Sequence, residues 1–265
     1  MVHYGLIASG SASSPLRVSV VSYLNTVPLV WGMLHGAQRG LFELDFDIPS
    51  RCADKLAAGE VDIGIVPVAE VPRLGLEVIP GAGVACHGEV RSILLISKVP
   101  PGDIRVLASD TSSRSSVALS RIILRERYRA QPTLVPMPPD LPSMLEAADA
   151  ALIIGDPALR LDPATLPYTV LDLGAEWVAL TGLPMVFAVW ARRKSVSPGG
   201  LAQAFLDSAR FGLAHLDEIV LCESEKRGLS RELARDYLVR NLVMELGELE
   251  YRGMRRFLEY VQELA

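Results

Sequence analysis

Ser22, Tyr23, Asn25 and Thr26 crowd together where the β-branched run Leu16–Ser22 gives way to a helical pattern. None of these side chains is an acid, a base or an imidazole. Such a set suits holding a polar small molecule by hydrogen bonds better than it suits an acid–base dyad. A second group, "SDTSSRSS" (Ser109–Ser116), places the hydroxyls of Thr111, Ser112, Ser113 and Ser115 around Arg114 where another helix begins. The free N–H groups and dipole at a helix start suit an anion, and Arg114 can pair bidentately with a carboxylate. Asp and Ser also cap helices, but the donors here outnumber what one cap needs.

The remaining candidates stand singly. Ser92, beside Arg91, enters a strand-like run and faces ligand if that strand lines a cleft. Gly155 ends a buried run and permits close backbone approach. Asp156 follows it, and because Asp-Pro commonly starts a helix, the structural reading of Asp156 is the favoured one. Thr181 opens a Thr-Gly-Leu-Pro turn ahead of an apolar strand. His87 is the only histidine in a polar turn near these segments, which is weak support for a general base.

The four histidines lack zinc-ligand spacing, Cys52, Cys86 and Cys222 are scattered, and no glycine-rich nucleotide loop occurs. Neither a metal nor any other cofactor is therefore expected. The 265 residues are half apolar and 22% charged, with a formal net charge of −5. That composition is globular, and its acidic balance argues against a nucleic-acid partner. No apolar run reaches the roughly 20 residues that span a membrane. No Lys or Arg precedes Arg17, so residues 1 to about 15 read as a lead-in and not as an export signal. Together with reduced thiols, this points to the cytoplasm. Oligomeric state leaves no mark that can be read.

These residues need a frame. Strand-like and helix-like segments alternate, which predicts an α/β fold with largely parallel sheets. Ser50 is the expected cap of a helix over "SRCADKLAAGE". Ser22 and Ser109 each end an opening strand, and Asp62 and Asp149 each precede a buried one. Both pairs are spaced by the same 87 residues (109 − 22 and 149 − 62). Equal offsets predict two lobes of similar topology. The expected division is 1–97 with 190–265, crossing near Lys98 into 98–189. Ligand would then sit between the lobes, outside the carboxyl ends of the strands.

At "VSYLNTVPL", "GEVDIGIVPVAE", "GEVRSILLIS", "DTSSRSSVALSRIIL", "IIGDPAL" and "TGLPMVFAVW", in that order, the chain resembles the chorismate dehydratase family of the futalosine route to menaquinone. The likeness runs from about Arg17 through "LGELEYRGMRRFLEY". It implies a type II periplasmic-binding-protein-like fold and a cofactor-free lyase. The implied substrate, chorismate, carries two carboxylates and a hydroxyl on a cyclohexadiene ring. Asn25 and Ser92 match the polar positions that the family places around the reacting ring. Tyr23, Ser112, Ser113, Arg114 and Ser115 would supply carboxylate donors, with Arg91 as a further one. The hypothesised proton acceptor is the substrate's own enolpyruvyl carboxylate.

Two other readings fit the same cleft. One is a non-catalytic solute-binding protein for a small carboxylate. The other is the sister enzyme that makes 1,4-dihydroxy-6-naphthoate, although "SYLNTVPL" fits the dehydratase better.

Overall fold

The computed structural model describes residues 15–264, so His3 and nearly all of the expected lead-in lie outside the described residues. The chain runs β1 (Leu16–Val21), a 3-10 turn (Leu24–Thr26), α1 (Val27–His35), β2 (Phe42–Asp47), α2 (Pro49–Ala58), β3 (Ile63–Pro67), α3 (Glu70–Arg73) and β4 (Glu77–Cys86). There follow β5 (Ile93–Ser97), β6 (Val106–Asp110), α4 (Arg114–Tyr128), β7 (Thr133–Met137), α5 (Leu141–Ala147) and β8 (Ala150–Ile154). Next are α6 (Asp156–Leu159), β9 (Thr169–Asp172), α7 (Leu173–Thr181), β10 (Met185–Arg192), α8 (Leu201–Ala214) and α9 (Leu216–Glu223). The chain closes with α10 (Arg231–Asp236), a π-helical turn (Tyr237–Asn241), β11 (Val243–Glu245) and α11 (Glu248–Glu263).

Two sheets result, ordered β11-β4-β10-β3-β1-β2 and β7-β6-β8-β5-β9. The order β2-β1-β3-β10-β4 in the first matches β7-β6-β8-β5-β9 in the second. In each, three strands run parallel, and a fourth lies antiparallel to both its neighbours. The sheets are therefore mixed, not largely parallel, because β5 and β10 are the strands by which the chain enters and leaves the second sheet. Ile93–Ser97 already belongs to that sheet and Met185–Arg192 has returned to the first. Both crossings thus fall several residues before the positions expected at 98 and 190.

The matched aspartates do matched work. Asp62 Oδ2 accepts the Arg17 N–H at 3.0 Å, and Asp149 Oδ2 accepts those of Arg105 and Val106, each at 3.0 Å. Each carboxylate thus holds the start of its sheet's central parallel strand.

The β1–α1 turn is anchored from behind by α8. Ser208 donates to Leu29 O at 2.8 Å and accepts the Met33 N–H at 3.1 Å. Gly212 allows this approach, since a Cβ there would stand 2.0 Å from Pro28 O. Trp190 and Phe205 pack edge-to-face at 4.6 Å beneath the first sheet, and Trp177 and Phe257 at 5.8 Å seat α11 against α7. Aromatic pairs in that geometry contribute about 0.5–1.5 kcal/mol beyond their buried area. Among the described residues, no helix is long and apolar enough to cross a membrane.

Candidate active site

The turn after β1 closes on itself through Thr26, whose hydroxyl contacts Val21 O and donates to Tyr23 O at 2.9 Å. That closure sends Leu24 into the core and leaves Tyr23 and Asn25 on the cleft side. Opposite them, the loop before β5 is held by Asp172. This carboxylate accepts N–H groups from Val90 (2.9 Å), Arg91 (2.6 Å), Gly174 (2.9 Å) and Ala175 (3.1 Å). Arg91 adopts φ +65°, unusual for a residue with a side chain. The reversal aims its guanidinium at Ala158 O (3.2 Å) and Leu161 O, and leaves Ser92 facing the cleft. Arg91, expected as a carboxylate donor, is thus spent on holding α6.

Tyr23, Asn25, Ser92, Ser113 and Ser116 bring polar groups to one cavity. Val21, Val84, Val90, Ile93, Ile154 and Phe187 form its apolar walls, and no charged side chain is among its lining residues. Gly155 forms part of the rim at φ +70°, and a Cβ there would lie 2.5 Å from the Tyr23 ring. Only glycine lets the phenol lie against this backbone.

At the start of α4, Ser113 is the cap, accepting the Ser116 N–H at 3.4 Å and the Ser116 hydroxyl at 3.1 Å. The other residues of that segment take different roles. Ser115 accepts the Ala69 N–H at 3.0 Å, and Ser112 O accepts the Ser50 N–H at 2.8 Å. Ile48, with Pro49 after it, caps α2, so the cap expected of Ser50 is replaced by this bridge to the second sheet. Thr111 is exposed at an outer recess shared with Ser50 and Arg114. Arg114 pairs with Glu70 and Asp54, each at 2.9 Å, and not with anything in the cavity.

Asp156 is a clasp. Its Oδ1 accepts the Leu24 N–H at 2.9 Å and its Oδ2 pairs with Arg227 at 2.7 Å, while Arg227 also donates to Ser22 O at 2.7 Å. Thr181 donates to Trp177 O at 2.9 Å at the end of α7 and does not line the cavity. His87 meets Glu250 at 2.5 Å, and is likewise absent from the lining.

Burial pushes the Tyr23 phenol up to about 12, partly offset by the neighbouring Ser112 side chain. Burial also raises the Tyr237 phenol, partly offset by the neighbouring Ser92 and Asn25 side chains. Both phenols stay neutral donors across the working range of most enzymes. Behind the Tyr23 phenol, burial raises the Asp110 carboxyl above its ordinary value, opposed by the Ser112 N–H. The cavity therefore offers neutral donors and one amide over apolar walls. It can orient a ring, bind oxyanions through O–H and N–H groups, and hydrogen-bond a leaving hydroxyl. Tyr237 and Ser116 escaped the sequence-based candidates. Ser116 sat in the serine-rich segment, whereas "RDYLVRNLV" carries no pattern that sets its tyrosine apart.

A family model described as "Menaquinone biosynthesis" matches residues 16–263. A chorismate dehydratase of Thermus thermophilus is 31% identical over 270 aligned positions, covering 92% of this chain and 94% of the relative. Among solved structures, a protein of Archaeoglobus fulgidus superposes with a TM-score of 0.77 at 19% identity, covering 96% of this chain and 99% of that one. The periplasmic aliphatic sulphonate binding protein of Escherichia coli superposes with a TM-score of 0.65 at 13% identity, over 96% and 93%. These structural likenesses carry the fold alone, which is that of the type II periplasmic binding proteins.

Proposed function

The chain belongs to the menaquinone-biosynthesis family, and from that membership we infer that it is a hydro-lyase that dehydrates chorismate to 3-[(1-carboxyvinyl)oxy]benzoate. The reaction breaks the C–H bond at the ring carbon bearing the enolpyruvyl ether and the C–O bond at the neighbouring carbinol carbon. A double bond forms between them, the ring becomes aromatic, and the proton and hydroxide leave as water. Aromatisation provides the drive, so the protein has three tasks: hold the ring, accept or relay one proton, and ease departure of the hydroxyl.

The observation that carries this reading is the cavity itself, with neutral polar groups on apolar walls and no acid or base in its lining. Asn25 and Ser92 are assigned to the departing hydroxyl, which neutral hydrogen-bond donors can stabilise as charge develops. Tyr23, Ser112, Ser113 and Ser116, with the N–H groups at the start of α4, are assigned to the carboxylates. The proton goes to the substrate's own enolpyruvyl carboxylate, the acceptor that this lining leaves to the ligand. Residues 16 to about 88 with 185–264 would form one lobe and 93 to about 180 the other, with the reaction between them. We place the activity in the cytoplasm, in keeping with a biosynthetic family and with the buried, unbridged thiols of Cys52 and Cys86.

Purified protein incubated with chorismate, without added metal or nucleotide, tests the assignment. An aromatic product lighter than chorismate by one water supports it. Intact chorismate that nonetheless raises the melting temperature would favour a binding protein, the role named for the sulphonate-binding neighbour.

A further inference from the structure

Ser92 is 1% exposed, and its hydroxyl accepts a hydrogen bond from Tyr237 at 2.8 Å. Tyr237 is itself 1% exposed and begins the π-helical turn. The last residue of that turn, Asn241, donates to Glu89 O at 3.0 Å. One irregular turn thus grips the Glu89–Ser92 loop at both ends. Wide turns of this kind interrupt the regular helix ladder and occur frequently at functional sites. Asn25 is close enough to the phenol to influence its ionisation, and its Oδ1 is buried without a protein partner.

We propose that Tyr237 is a positioning residue for the dehydration: its phenol, donating to Ser92 Oγ, fixes the direction of the serine hydroxyl. The proposal rests on the assignment of Ser92 to the departing hydroxyl. The logic is one of proton count. A serine hydroxyl has one hydrogen to give and lone pairs that accept. Because Tyr237 donates to Ser92 Oγ, the serine's own hydrogen is free to point into the cavity. Without that donor the serine can turn its hydrogen toward the protein, and an acceptor then faces a leaving group that needs a donor. Tyr237 never touches substrate in this scheme. It acts through Ser92.

The test is a double-mutant cycle on Tyr237→Phe and Ser92→Ala, read as kcat and KM for chorismate, with melting temperatures recorded alongside. Tyr237→Phe keeps the ring and removes only the donor. It is expected to lower kcat about tenfold with KM changed by less than about twofold, since the interaction matters when the hydroxyl leaves. In the Ser92→Ala background, the same change is expected to alter kcat by less than about twofold, because the serine through which it acts is gone.

If Tyr237→Phe folds poorly, the double variant removes both members of the pair at once, and its kcat against that of Ser92→Ala still decides the matter. A further drop of tenfold in the double variant, an unchanged kcat in Tyr237→Phe, or a rise confined to KM each overturns the proposal. If Ser92→Ala alone keeps full turnover, it is the assignment of Ser92 that fails, and the role of Tyr237 falls with it.

Discussion

Replacing Asn25 by Ala removes the one amide in the cavity without disturbing the turn, which Thr26 closes on its own. The expected result is a fall in kcat of about 100-fold with KM within about threefold, the signature of a contact that strengthens only in the transition state. Unchanged turnover would remove Asn25 from the mechanism. Gly155→Ala tests the opposite wall. Its Cβ meets the Tyr23 ring at 2.5 Å, and its φ of +70° strains any side chain, so an unfolding free energy lowered by about 2 kcal/mol or more in urea denaturation is expected, with a raised KM. Tyr23, Asn25 and Ser92 were legible in the sequence because hydrogen-bonding side chains stood where a strand hands over to a helix, or enters a sheet. Arg91 and Arg114 were not. Nothing in the letters reveals that a positive φ turns the first away, or that Glu70 and Asp54 claim the second.

The elements were legible where each makes its own sense and obscure where it depends on a distant partner. β1, β3, β6 and β8 read directly as buried β-branched or aliphatic runs, and the shared spacing of Asp62 and Asp149 exposed the matching of the two sheets. The antiparallel setting of β5 and β10 could not be read, because direction within a sheet is decided by neighbours far along the chain. The same holds for the helix that ends the fold. Its Glu250 meets His87 from the loop after β4, and this pair locks α11 to the first sheet's far end.

Burial pushes the Glu250 carboxyl up, but the His87 hydrogen bond and the Gly247 N–H outweigh it and hold the group below its ordinary 4.5. A carboxylate depressed in the folded state contributes stability above its unfolded pKa and loses it as pH falls through the folded one. Glu250→Gln should therefore be less stable than the parent near neutral pH. Its unfolding midpoint should also fall less steeply between about pH 5 and pH 3, the window set by that depression. Equal slopes for the two proteins would show that the pair contributes nothing.

Across the whole molecule, the two sheets are joined over the cavity by a ring of specific contacts. Ser50 reaches Ser112, Ala69 reaches Ser115, Leu24 and Arg227 reach Asp156, and Glu70 with Asp54 reaches Arg114. Arg114→Ala removes one of these without stranding Glu70, which keeps Arg73. A larger radius of gyration in small-angle scattering without substrate is expected, and a KM raised about threefold to tenfold with kcat at saturation nearly kept, since substrate then has to drive closure itself. A fall in kcat with KM unmoved would instead put Arg114 at the chemistry.

The hydrogen bond between Tyr237 and Ser92 joins residues 145 positions apart, and that separation has a meaning in time as well as in space. A ribosome adds about 5–20 residues per second, so Ser92 emerges several seconds before its donor exists. For most of that interval β10 is also missing from between β3 and β4, and the first sheet is only partly formed. A nascent chain halted anywhere from residue 182 to residue 236 thus carries every polar residue expected from the sequence, yet lacks the group that aims one of them. Competence arrives late in synthesis and all at once, instead of growing with length.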